Sequence, residues 1–123
     1  EETGLVLIWR EHMRAKTKEN DLTICEKEVI ATVYELPENE RSLKIICALV
    51  NKTFGHEWMP QTVSTFLHRI VEKGYLTWVR QGRVALYTPT YSNKEFRKEL
   101  LKEVIDLMYK DKEEIKKDIE ELF

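Results

Sequence analysis

The stretch from Pro60 to Gly74, with the two short strands that follow it, leaves this chain few ways to fold. Pro60 suits the first position of a helix, where a missing N–H leaves no hydrogen bond unmade. Gly74 can take the left-handed conformation that ends one. Between them Val63, Phe66, Leu67 and Ile70 recur at i, i+3, i+4 and i+7, the apolar stripe of an amphipathic helix. A turn of about 100° per residue puts Gln61, Thr65 and His68 opposite that stripe, with Ser64 and Arg69 on its flanks. The outward face carries a carboxylate only at Glu72, near its far end. Tyr75–Val79 and Val84–Thr88 are rich in β-branched and aromatic residues and read as strands. Arg80-Gln81-Gly82-Arg83 joins them as a tight turn, with Gly where a positive φ is needed. A polar helix face beside a hairpin tipped with two arginines suits a DNA groove and its flanking phosphates.

Upstream, Thr23-Ile24-Cys25-Glu26 is a capping box, opening a helix whose apolar side is Val29, Ile30, Val33 and Tyr34 and which Pro37 ends. Glu38–Arg41 reads as a loop. Ser42 can cap a second helix carrying Leu43, Ile46, Cys47, Leu49 and Val50, closed by Gly55. After Pro89 and Ser92-Asn93 a long helical pattern begins with Phe96, Leu100, Val104, Leu107 and Met108, with Leu101 and Ile105 beside them. Ile115, Ile119 and Leu122 continue at helical spacing among Lys, Asp and Glu. The expected fold class is mainly α with a small antiparallel β-hairpin: a winged helix-turn-helix plus a C-terminal helical dimerisation arm. Residues 22–90 would form the winged-helix DNA-binding domain and 91–123 the dimerisation region. Residues 1–21 would be an N-terminal extension. Its run Leu5–Trp9 fits either a strand or a helix, and His12-Met13 fits either native sequence or a cloning junction before a start codon.

The overall charge of −2 conceals a segregation. Residues 1–40 hold five Lys/Arg against ten Asp/Glu, a net −5. Residues 41–90 hold seven against two, a net +5, and residues 91–123 hold eight against ten, a net −2. Positive charge thus gathers on the segment with the helix and hairpin, as phosphate binding requires. Cys25 and Cys47 stand in unrelated contexts and read as free thiols. His12, His56 and His68 share no metal-ligand spacing, so neither a metal nor a cofactor is expected. No nucleophile–base pair, paired carboxylates or phosphate loop can be assembled, which argues against an enzyme. No apolar run approaches the ~18 residues of a membrane span, and a cytoplasmic protein is expected.

The residues Trp58-Met59-Pro60-Gln61-Thr62-Val63-Ser64-Thr65-Phe66-Leu67-His68-Arg69-Ile70-Val71-Glu72-Lys73-Gly74-Tyr75-Leu76 resemble the penicillinase-repressor family of the BlaI, MecI and CopY type, whose members read W-x-P-K-T-V-x-T-L-L-x-R-L-x-K-K-G-x-L. Gln81-Gly82-Arg83-Val84-Ala85-Leu86-Tyr87-Thr88-Pro89 is similar to its E-G-R-x-x-x-Y-x-P. Leu22–Val29 resembles its I-S-x-A-E-x-E-V opening. The resemblance covers about residues 22–110. It implies a homodimeric bacterial transcriptional repressor that occupies a palindromic operator through the helix from Pro60, with the C-terminal helices as the dimer interface. Met59 stands where members often have a Ser or Asp cap, Gln61 where Lys is common, and His68 where Asn is usual. These positions face the DNA, so the operator sequence does not carry over. No cysteine follows Cys47, which removes the C-x-C…C-x-C metal site of the copper-responsive branch. No Asn-Phe dipeptide occurs, so the cleavage site of the β-lactam branch is missing, and the inducer and any upstream sensor stay open.

Candidate contacts to a double-stranded DNA operator are Gln61, Thr62, Ser64, Thr65, His68, Arg69, Arg80 and Arg83. The alternative for Arg69 is a carboxylate partner inside the domain. Lys44, Lys52 and Lys73 are further phosphate candidates. Trp9, Trp58 and Trp78 are expected to be packing residues. Phe96, Leu100, Leu101, Val104, Met108, Ile115, Ile119 and Leu122 are the candidate dimerisation residues, joining the chain to a second copy of itself. The competing reading is a winged helix used for protein–protein contact in a larger assembly.

Overall fold

The computed structural model describes residues 21–123, and the expected N-terminal extension, with Leu5–Trp9 and His12-Met13, lies outside the described residues apart from Asp21. Helix α1 (Ile24–Glu35) starts where the capping box directs it. Thr23 Oγ1 accepts from the Glu26 N–H at 3.2 Å, and Glu26 Oε1 accepts from the Thr23 N–H at 3.0 Å. The helix stops one residue before Leu36-Pro37, since the residue ahead of a proline is held out of the helical region. The expected loop tightens into a 3-10 turn at Glu38–Glu40. Behind it, the Arg41 guanidinium Nε donates to the Val33 and Leu36 carbonyls at 2.9 and 3.0 Å. It thereby satisfies groups that the end of α1 leaves open and places a cation at the negative pole of that helix.

Helix α2 (Leu43–Phe54) is capped by Ser42 and closed by Gly55 at φ 71°. Helix α3 (Pro60–Glu72) begins without a side-chain cap at Met59, and Pro60 takes the first turn. Its end is a Schellman closure: the Gly74 N–H donates to Val71 C=O at 3.0 Å and the Tyr75 N–H to Ile70 C=O at 3.1 Å, with Gly74 at φ 89°. The three helices contact one another, and Val29, Ile30, Val33, Ile46, Val50, Val63, Leu67 and Ile70 have no exposed surface. These belong to the stripes that the 3.6-residue period assigned to the core, of which Tyr34, Leu43, Leu49 and Phe66 are only half-buried. Burying each contributes about 1.5–3 kcal/mol.

Strands β1 (Leu76–Gln81) and β2 (Val84–Pro89) pair antiparallel, with Trp78 opposite Tyr87 and Arg80 opposite Ala85. The turn is narrower than the four residues expected. Arg80 and Gln81 belong to the strand, and only Gly82 and Arg83 lie between the strands, with Gly82 at φ 67°. A two-residue loop with Gly first matches the right-handed twist of its strands, which a four-residue loop would not. The hairpin is held at its base, where Ser42 bridges to Leu86 and the Tyr87 N–H donates to Arg41 C=O at 2.9 Å. With helices α1–α3 these strands make a winged helix-turn-helix.

Residues from Tyr91 onward form a second compact unit. Ser92 and Glu95 form a reciprocal capping box at the start of α4 (Asn93–Met108). The single long pattern expected here is divided. Tyr109 ends α4, and Asp111 accepts from the Glu113 N–H at 3.0 Å to start α5 (Lys112–Leu122). A fresh cap inside a continuous apolar spacing is enough to restart a helix in a new direction. Across the break, the Tyr109 hydroxyl donates to Asp118 Oδ2 at 2.7 Å. No helix among the described residues is long and apolar enough to cross a membrane.

Candidate nucleic-acid interface

The turn that launches α3 is a small network rather than a bare loop. The Asn51 side chain brackets Trp58, its Nδ2 donating to the Trp58 carbonyl at 3.0 Å and its Oδ1 accepting from the Trp58 N–H at 3.1 Å. The Asn51 carbonyl accepts from the Gly55 and His56 N–H groups. The buried Cys47 thiol also lies 3.5 Å from the Trp58 carbonyl, and both cysteines are free. On the other side of the turn the His56 ring stacks on Trp58 with centroids 3.8 Å apart and planes 11° apart, and Trp58 meets Phe66 at 5.0 Å. His56 Nε2 sits 2.6 Å from Glu28 Oε1, tying the stack to α1. Met59 offers α3 no cap, and this bracket fixes the chain immediately before it instead. Asn51 was not singled out from the sequence, because an Asn late in a helix reads as surface until its neighbour across the turn is known.

The far end of α3 is fixed by charge. Lys73 Nζ lies 2.6 Å from Glu26 Oε1 and donates to the Asp21 carbonyl at 2.7 Å. Glu26 is 1% exposed, so its carboxylate serves the capping box of α1 and the end of α3 at once. Lys73, expected to be free for phosphate, is therefore committed inside the fold.

Between these two anchors α3 presents Gln61, Thr65, His68 and Arg69 to solvent, with Thr62 and Ser64 half-buried on the flanks. Two of these side chains are partly engaged. The Thr65 hydroxyl donates to the Gln61 carbonyl at 3.0 Å, so only its oxygen lone pairs remain for an outside donor. His68 Nε2 lies 2.7 Å from Glu72 Oε1 one turn on, and both side chains stay exposed. Arg69, Arg80 and Arg83 have no carboxylate partner among the described residues.

The hairpin has two distinct faces. Trp78, Arg80, Ala85 and Tyr87 point to one side, where with Ser64, His68 and Val71 of α3 they line an open groove of about 240 Å³. Val79, Gln81, Leu86 and Thr88 point to the other, toward Glu38 and Asn39. Trp78 corrects an expectation. Trp58 packs as foreseen, but Trp78 is 51% exposed on a sheet that has two strands among the described residues. Burial holds the Tyr87 phenol above its ordinary value near 10.

In the second unit Leu101, Val104, Leu107, Met108, Ile119 and Leu122 are exposed, while Leu100 and Ile115 are half-buried. Phe96 departs from the rest of the candidate dimerisation set: it is 6% exposed and does not belong to the uncovered face. No group of His, Cys, Asp and Glu able to hold a metal occurs among the described residues.

Comparison with known proteins agrees with this geometry. Residues 22–119 match the family described as Penicillinase repressor. The chain is also similar to a penicillinase repressor of Bacillus licheniformis, 38% identical over 39 residues. That aligned stretch is 32% of this chain and 30% of the relative's length.

Proposed function

The chain belongs to the penicillinase repressor family, and from that premise we infer that it represses transcription by binding an operator in double-stranded DNA. The carrying observation is the exposed polar face of α3 beside arginines that have no carboxylate partner among the described residues, all on the segment of net charge +5. Such a helix lies in the major groove with its N-terminal half against the bases. Gln61 and Thr65 then read base edges. Thr62, Ser64 and His68 flank them, and Arg69, Arg80 and Arg83 meet phosphates.

The reading extends to a homodimer on a palindromic site, with two copies of α3 about one turn of DNA apart, roughly 34–36 Å. What supports it is the apolar face of α4 and α5, which the chain alone leaves open. A C₂ pair is the usual way to cover such a surface.

Salt titration of binding to a random duplex tests the DNA reading. With about six to ten phosphate contacts per dimer, affinity falls roughly 10³–10⁵-fold between 50 and 200 mM salt. A flat response overturns it.

A further inference from the structure

We propose that the groove between α3 and the hairpin is a seat for one sugar–phosphate unit of the DNA backbone, with Trp78 as a DNA-contacting residue on its apolar floor. The inference rests on the DNA-binding reading above and adds to it a subsite and an occupant.

The groove is two-natured. Val71 and the rings of Trp78 and Tyr87 make an apolar lining, while Arg80, Ser64 and His68 supply cationic and hydrogen-bonding groups. A deoxyribose with its phosphate has the same division, an apolar ring face joined to an anion. The charge matches as well, because Arg80 has no carboxylate partner among the described residues and no carboxylate lines the groove. The Tyr87 hydroxyl, protonated at neutral pH as an ordinary phenol is, is a donor and not an anion. At about 240 Å³ and open along its length, the space is below the ~300–1,000 Å³ of small-molecule pockets. It suits a strand passing through better than an enclosed ligand.

Its place in the fold is equally restrictive. A helix in the major groove and a wing beyond it stand on either side of one DNA strand, so backbone must cross whatever lies between them. Here that is Trp78, an exposed indole on the hairpin face that turns toward α3. An indole held there packs against apolar matter at small entropic cost, because only two side-chain torsions need fixing.

The test uses the full chain and fluorescent duplexes of random sequence at constant low salt, comparing the unchanged protein with Trp78→Thr and Trp78→Phe. Thr suits an exposed strand position, so the hairpin is retained. Trp78→Thr is expected to weaken binding on the order of tenfold, equally on every sequence, and Trp78→Phe to recover most of that loss. The salt slope should not change, because an apolar contact releases no counterions, whereas Arg80→Ala should lower it by about one per subunit. Duplex binding by Trp78→Thr equal to the unchanged protein overturns the proposal, as does a loss confined to particular sequences or a changed salt slope. Failure of the unchanged protein to bind any duplex instead overturns the DNA-binding reading on which it stands.

Discussion

In helices α1–α3 the apolar stripes close on each other, and Val29, Ile30, Val33, Ile46, Val50, Val63, Leu67 and Ile70 have no exposed surface. On α4 and α5 stripes of the same spacing stand in solvent, with Leu107 at 80% and Met108 at 70% exposure. The first set of helices carries its stability in its own side chains. The second buries Phe96 but leaves most of its stripe open, and it adds local devices: two caps, a 3.9 Å Lys116–Glu113 pair and the Tyr109–Asp118 hydrogen bond. Helices of 16 and 11 residues draw little stability from such local terms. The difference teaches that apolar period alone does not identify a core. It identifies a surface that must be covered, by the chain itself or by another copy.

The largest effect that would sharpen this contrast comes from Lys73→Met. Glu26 would be left buried and unpaired, at a cost of about 3–5 kcal/mol. Chemical denaturation followed by circular dichroism checks it, and a loss under about 1 kcal/mol would show that water reaches the pair. Asn51→Ala is expected to cost about 1–3 kcal/mol, since it strips both backbone partners from Trp58. Operator affinity should fall with it, because the start of α3 loosens. The smallest effect belongs to the arm. Val104→Ser with Met108→Ser should move the unfolding of the first unit by less than about 0.5 kcal/mol, while sedimentation shows the dimer giving way to monomer. If these two changes destabilised the first unit as Lys73→Met does, the contrast between the two sets of helices would collapse.

What was legible in the sequence follows the same line. Caps, closing glycines and apolar periods act within a few residues, so the Thr23–Glu26 box, the Pro60–Gly74 helix and the hairpin could be read directly. The winged helix-turn-helix followed from them, whereas the repressor family rested on the resemblance of Trp58–Leu76 and Gln81–Pro89 to its members. Harder to read was whatever depends on a neighbour distant in the chain. Lys73 looks like any exposed cation until Glu26, 47 positions away, is seen beneath it. Trp78 looks like core until the sheet proves to have two strands among the described residues. The break at Tyr109–Asp111 was readable in principle from Asp111 as a cap, but unbroken apolar spacing across it masked the signal.

The shared carboxylate of Glu26 has a further consequence, for how the molecule opens. Its Oε1 holds the first turn of α1 and the last residue beyond α3 together, so fraying one helix end releases the other. Ends of helices ordinarily exchange their amide hydrogens first, by local opening at little free energy. The amides near Thr23 and those around Lys73 are therefore expected to open as one cooperative unit. Hydrogen exchange should find them at a common rate, slower than the free end of a capped helix and changed together by a substitution at Glu26. The frame that carries α3 is thus closed at its seam by a single buried oxygen.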